Sequence, residues 1–195
     1  LIGRILMQDI QLQDRAELII KACLQENSSD VTELFRHIAS RDFVRIHGPE
    51  HHILDGAIIL TAFKNAGGNI DLAKCLEEMA ARGLKMPGAI CAKWGICGAV
   101  SSVGAALSII DGTQPLSTDD SWGGHMELTS KSLSDIGKLG GPRCCKRDAY
   151  ISLNNGVVFI NKHYGIPVKG RFTSCRYSMK NPQCKKGSCP FFSSN

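Results

Sequence analysis

From Asp14 to Tyr164 the apolar residues recur three and four apart, the spacing of one helix face, and they alternate nowhere for more than a few residues. The chain therefore reads as all-α. Helices are expected from Asp14 to Leu24 and, after an Asn27-Ser28-Ser29-Asp30 cap, through Leu34 to Ile38. A third follows Gly48-Pro49 and stops at Gly67-Gly68, because proline suits a first helical turn and glycine a helix end. The pattern returns over Asp71–Arg82, over Trp94–Ile110 and, capped by Thr129-Ser130, up to Leu139. A last helix starts near Pro142 and runs past Tyr150, either fraying around Asn154-Asn155-Gly156 or resuming to Tyr164.

Beyond Tyr164 the periodicity stops. Residues 165–195 are rich in Gly, Pro and Lys and carry Cys175, Cys184 and Cys189, the last followed by Pro190. Such a segment is too polar to fold by burial alone, so a bound metal is expected to supply the missing free energy, roughly 10 kcal/mol or more for a structural zinc site. The expected organisation is a compact multi-helix domain over 1–164 with an irregular cysteine-rich, metal-binding tail, 165–195, packed on it. Iron–sulfur runs also end in Cys-Pro. The Cys-x8-Cys-x4-Cys spacing with Tyr177, Phe191 and Phe192 is similar to that of RNA-binding zinc fingers with three Cys and one His, but Ser193 stands where the His would be. A fourth ligand then has to come from the body: Cys144, Cys145, Cys97 or His163.

Nine cysteines are an odd number for a disulfide framework, and no secretory leader opens the chain, so a reducing, cytoplasmic setting is expected. The start at Leu1 rather than Met suggests a piece of a longer or processed polypeptide. An apolar fraction of 43% with 21% charged residues suits a globular domain with one good core. The uncharged run Trp94–Ile110 is short and rich in small residues, so no membrane association is expected. Net charge of +5 conceals an asymmetry: residues 1–142 balance at −4 and residues 143–195 at +9. The thiol-rich end is the cationic end, suited to compensating thiolates or to attracting nucleic acid or another anion.

Three groups carry the chemistry. Arg143-Cys144-Cys145-Lys146-Arg147 is placed at a helix start, where unpaired N–H groups and three cations are expected to depress the thiol pKa. Cys144 and Cys145 join Cys175, Cys184 and Cys189 as candidate metal ligands, and Arg143, Lys146 and Arg147 are candidate cofactor-binding cations; a weak phosphate site at Gly140-Gly141-Pro142-Arg143 is also conceivable. Cys91 and Cys97 lead into a helix whose Gly95, Gly98, Ser102 and Ala105-Ala106 leave room for a neighbouring backbone or a cofactor. His47-Gly48-Pro49-Glu50-His51-His52 gathers three imidazoles and a carboxylate at a helix entrance, with Asp55 one turn beyond His51. A carboxylate-oriented histidine is how metal ligands and general bases are held. His47, Glu50, His51, His52, Cys91 and Cys97 are the candidate catalytic residues.

The segments HGPEHHILDGAIILTAFKNAGG, CAKWGICGAVSSVGAALSIIDG, GGPRCCKRDAY and CRYSMKNPQCKKGSCPFF together resemble an uncharacterised Cys-rich domain family of anaerobic prokaryotes. That family occurs alone or behind an S-adenosylmethionine-dependent methyltransferase domain. The resemblance spans His47 to Phe192 and implies a partner enzyme or fused methyltransferase domain, while fixing no reaction. GICGAVSSVGAALSIIDG also looks like the Gly-Cys-Gly-Ala helix of small redox-active cysteine proteins, which implies a redox or cluster role for Cys97. The leading expectation is an iron–sulfur thiol protein acting in redox, sulfur or methyl-group chemistry beside a partner enzyme. The alternatives are a zinc-organised module whose basic tail grips RNA or another anion, and a metal-free thiol–disulfide oxidoreductase using Cys91 and Cys97.

Overall fold

The computed structural model describes residues 11–193. Within them the fold is all-helical: α1 (Leu12–Leu24), α2 (Val31–Ile38), α3 (His51–Asn65), α4 (Leu72–Lys85), the single turn α5 (Ile90–Lys93), α6 (Gly98–Asp111), α7 (Asp120–Leu139) and α8 (Cys145–His163). Two 3-10 turns, Ser178–Lys180 and Lys186–Ser188, punctuate the tail. Three aspartates act as N-caps: Asp30 accepts the N–H groups of Thr32 and Glu33, Asp71 that of Lys74 and Asp119 that of Ser121. Among the described residues no helix is long and apolar enough to cross a membrane.

Helix α3 is the axis of the molecule. Ile53, Leu54, Ala57, Ile58, Ile59, Leu60, Ala62 and Phe63 leave it no polar side, and a helix apolar all round must be surrounded. Accordingly α1, α2, α4, α6 and α8 pack around it, and every residue from His51 to Phe63 is buried. Its closest neighbour is the small-residue helix α6. The Gly56 N–H donates to Ser102 Oγ at 2.8 Å, and a β-carbon on Gly56 would lie 2.5 Å from the Ser102 carbonyl oxygen and 2.4 Å from Met79 Sδ.

Three helix boundaries differ from the sequence reading. The run from Trp94 begins as a helix only at Gly98, because Gly95 turns the chain at φ +69 and Cys97 stays extended as the N-cap. Helix α7 starts nine residues before Thr129, through a Ser-Trp-Gly-Gly stretch of low intrinsic preference. Tertiary contacts hold that turn: His125 Nε2 lies 2.9 Å from Asp111 Oδ2, and the Thr113 and Ser121 hydroxyls are 2.9 Å apart. The last helix begins at Cys145 rather than at Pro142 and runs unbroken through Asn154-Asn155-Gly156.

Of the two asparagines that suggested fraying, Asn155 donates to Ser132 and Asp135 of α7, at 3.1 and 3.2 Å, and Asn154 serves the tail. Asn154 donates to the Phe172 carbonyl at 3.1 Å and accepts the Phe172 N–H at 2.8 Å. Two turns later Asn161 does the same for Val168, at 3.1 and 3.0 Å. Lys169 also exchanges backbone bonds with Ser29 and Val31, at 2.9 Å each. Tail aromatics complete the attachment: Phe172 stacks on Tyr150 at 4.2 Å, and Phe191 meets Tyr150 edge-on at 5.2 Å. The tail is thus less polar in effect than its composition suggests, since Val168, Phe172, Tyr177 and Phe191 belong to the core.

Replacing Gly56 by alanine forces α3 away from α6 and is expected to cost about 1–3 kcal/mol of stability. Urea unfolding monitored by helix circular dichroism measures it; an unchanged midpoint would deny the close approach.

Two thiol-lined recesses about the start of helix α8

The first turn of α8 separates two recesses. The first, of about 460 Å³ and partly open to solvent, lies between α8 and the tail and is lined by Cys144, Cys175, Cys184, Cys189, Tyr177 and Phe191, among others. Its four thiols come from positions up to forty-five apart in the chain, and none is in a disulfide. Local backbone geometry turns N–H groups onto the sulfurs: Tyr177 N–H donates to Cys175 Sγ at 3.3 Å and Lys186 N–H to Cys184 Sγ at 3.4 Å. Lys186 reaches this position by adopting φ +49. Asn181 Nδ2 lies 3.5 Å from Cys144 Sγ, while its Oδ1 meets His47 Nε2 at 3.0 Å.

The second recess, of about 450 Å³, lies on the other side of the α8 start, where α3, α5 and α6 meet. His51, His52, Cys91, Cys97, Cys145 and Asp148 line it. His51 is only 1% exposed; its Nδ1 sits 3.3 Å from Asp55 Oδ1, and its Nε2 is buried with no hydrogen-bond partner. Asp148 accepts from Arg147 Nε at 2.9 Å and stands 3.9 Å from Cys97 Sγ. His52 hydrogen-bonds the Met86 carbonyl, and its ring occupies the space a β-carbon on Gly98 would need, 2.1 Å away. Cys91, Cys97, Arg143 and Asp148 continue into a wider cleft of about 960 Å³ beside Leu133 and Ile136 of α7.

Burial decides the electrostatics of both recesses. The helix start was expected to lower the thiol pKa; instead desolvation raises Cys144 and Cys175, pushes Cys145 up to about 11 and drives Cys97 higher still, with Asp148 adding to it. The helix N-terminus does act, through backbone N–H groups near Cys144, but is outweighed. Burial also pulls Lys146 down to about 8.

The sequence-predicted site residues divide cleanly. Cys144 joins the tail cysteines, whereas Cys145, one residue on, faces the second recess with His51, His52, Cys91 and Cys97. His47 turns away to Asn181 in the tail. Glu50 leaves the histidines as well. It is wholly buried and takes 2.6 and 3.0 Å bonds from the Arg45 guanidinium and one of 2.7 Å from the Arg45 N–H. Burial alone would raise its pKa; the Arg45 bonds together bring it down to about 2. Of the three cations, Arg143 is exposed at the mouth, Arg147 is paired with Asp148 and Lys146 is sealed in the core, its Nζ 4.9 Å from the Tyr177 ring centroid. Among the described residues no three His, Cys, Asp or Glu side chains are gathered closely enough to hold a single metal ion. Sequence reasoning missed Asn181; its only signal was an Asn-Pro turn between two cysteines.

Fold and recesses together define a compact all-α domain with buried thiols and imidazoles on two sides of one helix start. Residues 19–192 match the family of unknown function designated DUF5714, and the chain belongs to that family. No curated protein and no solved structure matches it.

Arg45→Ala takes from the wholly buried Glu50 carboxylate its half-exposed partner and is expected to destabilise the fold by about 1–3 kcal/mol. Adding Glu50→Gln to it should recover part of that loss in a denaturation double-mutant cycle, and strictly additive effects would disprove the coupling.

Proposed function

We propose that the chain is an iron–sulfur protein in which Cys144, Cys175, Cys184 and Cys189 hold a cluster in the tail recess. The observation that carries this is the placement of four unpaired thiols around one recess, two of them already accepting backbone N–H groups. Hydrogen bonds to sulfur are a principal means by which a protein sets a cluster's potential. A single zinc ion needs its thiolates within about 2.3 Å of one point. Thiols placed around a recess without converging suit a polynuclear core better.

The cluster would exchange single electrons with a partner enzyme or a fused methyltransferase domain, in redox, sulfur or methyl-group chemistry. The basic tail offers the partner a cationic surface beside the centre, Arg176, Lys180, Lys185 and Lys186 lying among the cysteines. The second recess, with His51 held by Asp55, would face a substrate or a second metal.

Anaerobic purification followed by absorption spectroscopy and iron and sulfide analysis tests the reading. Broad absorbance near ~400 nm that bleaches with dithionite is expected, thiolate-ligated iron and sulfide being the chromophore. Serine at Cys144, Cys175, Cys184 or Cys189 should remove it, while Cys75→Ser on α4 should not. Colourless protein carrying stoichiometric zinc would sink the proposal.

A further inference from the structure

We infer that the second recess is itself a metal centre, an iron–sulfur cluster held by Cys91, Cys97, Cys145 and the Nε2 atom of His51. The inference rests on the reading of the tail recess as a cluster site and extends it to residues that site leaves unused.

His51 is the first ground. His51 lines the recess and is 1% exposed, Asp55 takes its Nδ1 side at 3.3 Å, and its Nε2 is buried without a partner. A carboxylate on one nitrogen and an open valence on the other is the arrangement that orients metal-ligating histidines. A buried polar atom without a partner is costly, and a ligand that uses it removes that cost.

The thiols are the second ground. Cys91, Cys97 and Cys145 reach the recess from three separate elements: α5, the cap of α6 and the start of α8. The backbone is bent to present them. Ala89, a residue with a β-carbon, is held at φ +62 immediately before α5, a conformation sparsely populated outside glycine and found at built sites.

The doublet is the third. Cys144 is the extended N-cap of α8 and Cys145 its first helical residue, so the two side chains leave the backbone in different directions. Cys144 and Cys145 therefore address opposite recesses, and one peptide bond joins a ligand of one centre to a ligand of the other. An electron leaving one cluster reduces the other by one, with no bond made or broken.

The full chain, purified anaerobically, should carry about twice the iron and sulfide of its Cys97→Ser or Cys145→Ser variants. Those variants should keep the dithionite-bleachable absorbance of the tail centre and their helix circular dichroism. His51→Cys should retain the iron but lower the potential of one of two reduction steps, since histidine ligation raises cluster potentials relative to thiolate. Iron abolished entirely by Cys175→Ser or Cys184→Ser, and untouched by Cys97→Ser, Cys145→Ser and His51→Cys, would overturn this inference alone. Wild-type protein without iron would overturn both it and the proposed function.

Discussion

The burial of α3 on every side is the constraint from which the rest follows. A helix surrounded by five others has no solvent face on which to place polar residues, yet its entrance carries Glu50, His51, His52 and Asp55. Each must be satisfied inside the protein. Glu50 is satisfied by Arg45, and His51 and Asp55 engage each other and leave one atom apiece without a partner. The apolar two-thirds of the helix anchors the fold, and the polar end is held rigidly by that anchoring.

Around this end the protein assembles an unusual density of buried ionisable groups. Lys146 and Arg147 enter the core beside Asp148, Asp55 and the thiols, though a solvated helix start would have left them in water. The cost of burying such groups falls only when opposite charges and hydrogen bonds are close. Here burial holds the Cys97 and Cys145 thiols above their ordinary pKa, and a bound metal would displace their protons.

Much of the fold was legible because helical periodicity is a property of the core itself: α1 to α4 were read close to their limits from apolar spacing, capping aspartates and Gly67-Gly68. The start of α7 was not, since Gly123 and Gly124 weaken the local signal and the contacts that hold it, His125 to Asp111 and Ser121 to Thr113, bring separate segments together. The structure brings several of the candidate residues to two recesses, but sequence proximity misled. His47 and Glu50 neighbour His51 in the chain and part from it in space, and the Cys144-Cys145 pair divides between two recesses. The helix-start argument for acidic thiols failed because it took no account of how deeply the turn is buried.

The paired asparagine bonds of α8 bear on how such a recess is filled. Asn154 and Asn161 fix the path of the chain at Phe172 and Val168 using groups that belong wholly to the polypeptide. The loops bearing Cys175, Cys184 and Cys189 thus start from a track already laid against the helix, and Tyr177 and Phe191 add their own anchorage. Small metal modules that are unfolded without their ion spend binding energy on ordering the chain. A pre-tethered tail spares most of that expense, so a cofactor's affinity would report the quality of its ligands, and exchange of the cofactor would leave the fold standing.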